Sequence, residues 1–305
     1  MRRRWARLLG LLCVLVVGSG LPLPLAQPMA AARDRTGPLM GPAQGDELHV
    51  MSFNLRFAAA RGAHSWPERR PVMAELFRRE LPTVIGTQEG LYGQLRDIAA
   101  GLPAYYDWIG EGRLGGSRDE FMAVFFDTRR LEPLEYDHFW LSDTPNVVAS
   151  DTWGNDSVRM VTWVRFRDRR TGKEFVVLDT HLDDESAYSR QRAAELIRDR
   201  IGSFPLELPV IVTGDFNDAA EHSVPYDVLT KGTGLADAWL VAKTRRTPVY
   251  RTWHDYHPLQ RNGSRIDWVL TRGKVGVDAV GLNTFARKGQ FPSDHLPLQV
   301  LLHLG

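Results

Sequence analysis

Short apolar runs rich in β-branched residues recur along the chain, each bounded by polar or glycine-containing turns. They predict strands over 48–53, 83–86, 121–126, 160–166, 175–179, 210–213 and 266–270, with a closing strand over 298–304. Between some of them the apolar spacing changes to that of helices, over 69–80, 91–100 and 189–201. In the last of these, Ala193, Leu196, Ile197 and Ile201 share one face. Strands therefore both alternate with helices and follow one another directly. That mixture points to mixed sheets in an α/β or α+β sandwich. The alternating charges of residues 165–173 around Thr171-Gly172 read as a solvated hairpin turn, and Trp140, Trp153, Trp163 and Trp239 as core.

The amino terminus breaks this pattern. Arg2, Arg3, Arg4 and Arg7 precede a short apolar run, Leu8 to Val17, and Ala30-Ala31-Ala32 offers a cleavage site. Residues 1–32 read as a secretory signal peptide, so the mature protein is expected to be secreted or held in the cell envelope. The run is shorter than the ~20 residues that span a bilayer, so no integral membrane segment is expected after cleavage. An uncleaved anchor is the alternative, and the arginines leave the export route open. Residues 33–46, rich in Gly and Pro, read as a flexible lead-in, and 47–305 as one domain without internal repeats.

Composition narrows the chemistry. The sole cysteine, Cys13, lies in the signal segment, which excludes thiol catalysis and zinc–thiolate sites in the mature chain. Removing residues 1–32 lowers Lys+Arg from 38 to 34 against 37 acids, so net charge moves from +1 to −3. That balance lacks the basic footprint of a tight nucleic-acid binder.

The polar residues of interest stand at strand ends: Asn54, Gln88-Glu89, His181, Asp215 with Asn217, and Asp267. Singly, each has an ordinary reading as a turn residue, surface carboxylate or core histidine. Together they form a set of hard oxygen donors and histidines without a thiol, suited to Mg²⁺, Mn²⁺ or Ca²⁺.

The ordered motifs carry a family resemblance. They are Ser52-Phe53-Asn54, Gly86-Thr87-Gln88-Glu89, Glu120 before Phe125-Phe126, Phe139-Trp140-Leu141-Ser142 and Arg159 before Thr162-Trp163. Asp179-Thr180-His181-Leu182, Gly214-Asp215-Phe216-Asn217, Arg265-Ile266-Asp267-Trp268 and Ser293-Asp294-His295-Leu296-Pro297-Leu298 follow. With these the chain resembles the endonuclease/exonuclease/phosphatase superfamily over essentially all of 47–305. The resemblance implies a deoxyribonuclease I-like fold, a four-layer sandwich of two mixed β-sheets flanked by helices. It implies a metal-dependent hydrolase of phosphoric esters, with Mg²⁺ as the expected ion.

The resemblance also assigns roles. Glu89 would be the principal cation ligand, with Asn54 beside it, either as a further ligand or as a neighbour that holds the ligands, and Asp294 adding a carboxylate. Asp215 would orient or deprotonate the attacking water, and Asn217 would hold that water or the phosphate. Two carboxylate–histidine dyads, Glu120–His181 and Asp267–His295, would flank the phosphate, with the division of labour between them open. Arg159 would give the phosphate a forked contact. Asp184 and Phe126 depart from close relatives, which commonly show histidine and tyrosine there, and this puts substrate contacts in question rather than activity. Trp253-His254-Asp255-Tyr256-His257 is expected to border the site.

The substrate is left open between a lipid or other small phosphodiester, a phosphomonoester, and DNA or RNA, and the protein is expected to act as a monomer. A non-catalytic binding module on the same fold is the remaining alternative. Lost motif residues would be its signature, and the central ones are all present.

Overall fold

The computed structural model describes residues 37–305; the expected signal peptide, 1–32, and the start of the expected lead-in lie outside the described residues. The first half of the chain runs β1 (Leu48–Asn54), α1 (Trp66–Glu80), β2 (Val84–Leu91), α2 (Tyr92–Gly101), β3 (Tyr106–Ile109), β4 (Glu120–Asp127), β5 (Leu131–Trp140), β6 (Met160–Asp168) and β7 (Glu174–His181). It continues as α3 (Ala187–Gly202), β8 (Val210–Asp215), α4 (Val224–Thr230), β9 (Leu235–Asp237), α5 (Ala238–Val241), β10 (Thr244–Arg245), β11 (Asp267–Arg272), β12 (Val275–Leu282) and β13 (Leu298–Leu304). Two mixed sheets result, ordered β10-β12-β13-β1-β2-β4-β3 and β5-β6-β7-β8-β11-β9. The pairs β1–β2, β7–β8 and β10–β12 are parallel.

The two-residue alternation of the strands sorts side chains into layers. Val50, Val84, Val124, Val177, Ile211 and Val269 pack in one cluster between the sheets. Met51, Phe53, Ile85 and Phe125 turn outward against Met73, Leu76 and Phe77 of α1 and Leu95 and Ile98 of α2. Val176, Leu178, Val210 and Val212 turn outward on the other sheet, against Ala193, Ala194 and Ile197 of α3 and Leu229 of α4. Helix, sheet, sheet and helix give the four layers that the family resemblance implied. The expected strands and helices are all present, and the four tryptophans assigned to the core are buried.

Several elements had no clear sequence signal. β5 is an edge strand whose middle is exposed, so it shows no apolar run. β12 carries Gly276, Asp278 and Gly281 among its apolar residues and a register irregularity between Val277 and Ala279.

Residues 37–46 correct the expectation of a flexible lead-in. Glu80, at the end of α1, accepts hydrogen bonds from the successive backbone N–H groups of Leu39 (2.7 Å), Met40 (3.0 Å) and Gly41 (3.0 Å), and from Asn283 Nδ2 (2.9 Å). Leu39 is buried. The fully buried His49 meets the Gly41 carbonyl at 2.8 Å, and burial lowers its pKa to about 4.

Arg69 of α1 fixes the loops that become the site. Its guanidinium is buried and donates to the carbonyls of His64, Leu55, Pro292, Arg56 and Phe57 at 2.6–3.0 Å. An arginine has five N–H donors, and all are engaged. Leu55–Phe57 follows Asn54, while Pro292 precedes Ser293-Asp294-His295. One side chain therefore braces loops more than two hundred residues apart.

Arg69→Met would leave those carbonyls without their donor, and we expect a loss of about 3–5 kcal/mol in denaturant unfolding, with Arg69→Lys intermediate. His49 stays neutral in the fold while the unfolded chain protonates near pH 6.5, so its contribution is intact above that pH and declines as pH falls toward 4. His49→Gln keeps a donor for Gly41 and cannot titrate. Its stability should be less acid-sensitive by roughly 3 kcal/mol, read as the difference in urea midpoints between pH 7 and pH 4.

Candidate active site

At one end of the sandwich the inner-face alternation changes from apolar to polar. On β1 the inward series Leu48, Val50 continues as Ser52 and Asn54; on β8, Ile211 is followed by Thr213 and Asp215. On β7 it runs Phe175, Val177, Asp179, His181, and β11 begins at Asp267. Strand register then makes neighbours of these ends: Asn54 pairs with Gln88, and Asp215 with both His181 and Asp267. Close approach of the sheets beneath them requires Gly86, where an added Cβ would lie 2.0 Å from Thr213 Oγ1 and 2.4 Å from Asp179 Oδ1.

Two carboxylates, Asp215 and Asp267, thus lie directly opposite each other in adjacent strands, both 1% exposed. His295 bridges them, with Nδ1 3.0 Å from Asp267 Oδ2 and Nε2 3.6 Å from Asp215 Oδ2. Burial alone would lower the imidazole pKa, but the charges of Asp267 and Asp215 outweigh it and raise it well above the usual value. Asp215 is pushed up to about 7, by burial first and by the Asp267 charge second. The Asp267–His295 dyad implied by the sequence is therefore formed, with the imidazole held as its cation.

Glu89 reaches the same space by a backbone irregularity. The β2–β4 register slips between Thr87 and Gly90, and Glu89 sits there at φ +63°. A bulge at this point re-aims one side chain out of the ladder. Oxygen atoms of Glu89 and Asp215 and a nitrogen of His295 all lie within 4.8 Å of one another. The two carboxylates fit a hard divalent cation; His295, held protonated, offers no lone pair and is better read as their neighbour than as a ligand.

Of the two parts open to Asn54, ligand or neighbour of the ligands, its hydrogen bonds favour the second. Its oxygen accepts the Arg56 N–H at 2.9 Å, which turns Nδ2 toward Glu89 Oε1 (2.8 Å) and Asp215 Oδ2 (3.0 Å). The amide donates to both carboxylates and sets their spacing. Asp294 lines the cavity but stands outside the close group, with Ser293 Oγ at 3.2 Å and Arg56 Nε at 3.8 Å.

His181 and Glu120 line the same cavity, but the expected dyad between them is absent among the described hydrogen bonds. Glu120 pairs with Arg113 Nη1 at 3.1 Å, an arginine the motifs did not flag. Burial and the Glu89 charge raise Glu120 to about 7 against the pull of Arg113 and Arg159. His181 Nε2 instead faces Asn217 Nδ2 at 3.0 Å, and that amide also donates to the Leu182 carbonyl at 2.9 Å. The ring therefore accepts at Nε2, and its buried Nδ1 has no protein partner among the described residues. Burial, with Arg159 and His295 nearby, lowers its pKa well below the usual value, so the 3.6 Å approach to Asp215 is no ion pair. Asn217 orients His181, and its own φ of +48° places it there.

Arg159 lies in the cavity wall, but Nη2 is held by Asp184 at 2.6 Å and Nε by the buried Asp183 at 3.4 Å. The departure from histidine at 184 thus gives this guanidinium a fixed carboxylate partner. The cavity, about 520 Å³, also takes in Trp253 and Ile266, so the 253–257 loop does border the site.

Comparison with known proteins agrees with this geometry. The profile of the Endonuclease/Exonuclease/phosphatase family matches residues 51–295. A mannosyl-6-phosphatase of Bacteroides thetaiotaomicron is 32% identical, with a TM-score of 0.77, over 84% of this chain and 99% of that one. An endonuclease/exonuclease/phosphatase of Bacteroides vulgatus is 30% identical, with a TM-score of 0.80, over 85% and 99%. Drosophila melanogaster nocturnin is 23% identical over 84% of this chain, and the chain spans less than half the length of the curated relatives it matches. With its fold, its close group of Glu89, Asp215 and His295, and these relatives in agreement, the chain belongs to the endonuclease/exonuclease/phosphatase family of phosphoester hydrolases.

Proposed function

We propose that the protein is an exported, monomeric, divalent-metal-dependent phosphoesterase that acts on small phosphoric esters. The observation that carries the reading is the grouping of Glu89, Asp215 and a doubly supported His295 in one cavity. Glu89 and Asp215 would hold Mg²⁺, with Mn²⁺ or Ca²⁺ as alternatives, and Asn54 keeps the two carboxylates apart. The bound cation supplies charge neutralisation at a phosphoryl oxygen. Asp215 orients the water, and the His295 imidazolium donates from Nε2 to the phosphate or the leaving oxygen while Asp267 holds Nδ1. Neutral His181 and Arg113 complete the wall that receives the ester.

The acidic wall favours small esters over nucleic acid. Glu89, Glu120, Asp156, Asp184, Glu185, Asp215 and Asp294 outnumber Arg113, Arg159 and the His295 imidazolium around the cavity. Successive phosphates of a polynucleotide would meet that surplus of like charge. Export rests on residues 1–32, and N-terminal sequencing of the mature protein locates the cleavage site.

Purified 33–305 should hydrolyse bis-(p-nitrophenyl) phosphate or a phosphomonoester with Mg²⁺ or Mn²⁺, and EDTA should abolish turnover. In a panel with sugar phosphates, sphingomyelin, phosphoinositides, RNA and DNA, faster turnover of the nucleic acids would favour the nuclease reading instead. Asp215→Asn and His295→Ala should each lower kcat by roughly 10²–10⁴ while circular dichroism stays native; unchanged turnover in both sinks the mechanism. Asp267→Asn removes one of two charges that keep His295 protonated, so the alkaline limb of kcat/KM should move to lower pH. A pH–rate profile of that variant beside the parent decides it.

A further inference from the structure

Trp253 is 38% exposed, whereas Trp66, Trp140, Trp153, Trp163, Trp239 and Trp268 are each at most 8% exposed. A partly exposed indole at the mouth of a catalytic cavity offers an apolar face to a group that enters beside the phosphate. Its place is fixed by backbone. Trp253 forms a β-bridge with His295, flanked by Leu296 N–H to Thr252 O and His254 N–H to Asp294 O, each 2.8 Å. The Arg251 guanidinium lies 4.9 Å from the ring centroid and steadies it. Gly263 permits that packing, since a Cβ there would come within 2.5 Å of Arg251 Cβ.

A groove of about 570 Å³ continues from the catalytic cavity, sharing Asn217, Trp253 and Ile266 with it. Beyond Trp253 it is lined by Gln260, Asn262 and Ser264. All three are solvent-exposed, so their side chains are open to a ligand in the groove. Amides and hydroxyls both donate and accept, so they match the hydroxyls of a neutral polyol ring. Among the described residues that line the groove Arg251 is the one cation, already against the indole, and Asp218 is an anion, which gives little to a second phosphate.

We infer that Trp253 and this groove form a subsite for a hexopyranose ring, the hydroxyl-rich group to which the scissile phosphate is esterified. The inference rests on the phosphoesterase reading above and adds the class of leaving group. The ring stacks its C–H face on the indole, while Gln260, Asn262 and Ser264 meet its hydroxyls. Trp253 is a specificity-determining residue, outside the group that handles the phosphate.

The test compares hexose 6-phosphates with the acyclic glycerol 3-phosphate and with nucleoside 5′-monophosphates, in Mg²⁺. Trp253→Ala should lower kcat/KM on the hexose esters about tenfold or more, chiefly through KM, with glycerol phosphate within about twofold of the parent. Trp253→Phe should recover most of the loss. An equal loss on all substrates, or a larger one on nucleotides, overturns the subsite. Saturation-transfer NMR with methyl mannoside and adenosine, neither of which can be hydrolysed, reads binding apart from turnover. Transfer to the mannoside ring protons is expected in the parent and not in Trp253→Ala. No transfer in the parent, or transfer to adenosine alone, overturns the proposal whatever the activity. Absence of hydrolysis of every ester by the parent, with mannoside binding intact, would instead overturn the phosphoesterase reading.

Discussion

The site depends on an unfavourable placement made tolerable by one ring. Asp215 and Asp267 are paired across neighbouring strands, where like charges oppose each other, and both are removed from water. The His295 imidazolium between them turns that repulsion into two attractions. Its own charge would be costly at that depth without both carboxylates. The three groups are therefore interdependent, and each one's protonation is set by the other two. Asn54 and Glu89 are arranged around this core, through the amide that touches both Glu89 and Asp215.

Around that core the protein sets charged side chains against neutral backbone groups. Arg69 brings five carbonyls together without a carboxylate in contact, and its positive charge is balanced by carbonyl dipoles. Buried in this way, it shapes the loop after Asn54 and the loop before Ser293 from the outside. Glu80 does the converse with backbone N–H groups, pinning residues 39–41 against the first sheet. Such charged side chains bonded to backbone fix loops more firmly than exposed ion pairs do.

Much of this was legible in the sequence, for a physical reason. The residues that make the site are the last members of inward-facing strand series, so the same two-residue period that marks a strand also points Asn54, His181 and Asp215 inward. Order along the chain then sufficed to recognise the family. What could not be read were contacts decided by approach between loops. Arg113 takes Glu120 away from His181, and Asp184 occupies Arg159, because separate loops converge on the cavity wall. Nor could a sequence tell which end of the Asn54 amide faces the carboxylates; the Arg56 N–H decides that. The glycines and prolines of residues 37–46 do not signal order, because the partner that holds their backbone, Glu80, lies on a distant helix.

The bulge at Glu89 carries a consequence for how this chain can vary. Its effect comes from a count of residues, Gln88 and Glu89 on β2 against Met122 alone on β4, as much as from any side chain. Removing one residue between Thr87 and Gly90 would restore a regular ladder and swing the carboxylate off the cavity, though every remaining side chain kept its identity. This segment is thus held to a fixed length, and insertions or deletions belong in the distant hairpin turns, where nothing is aimed.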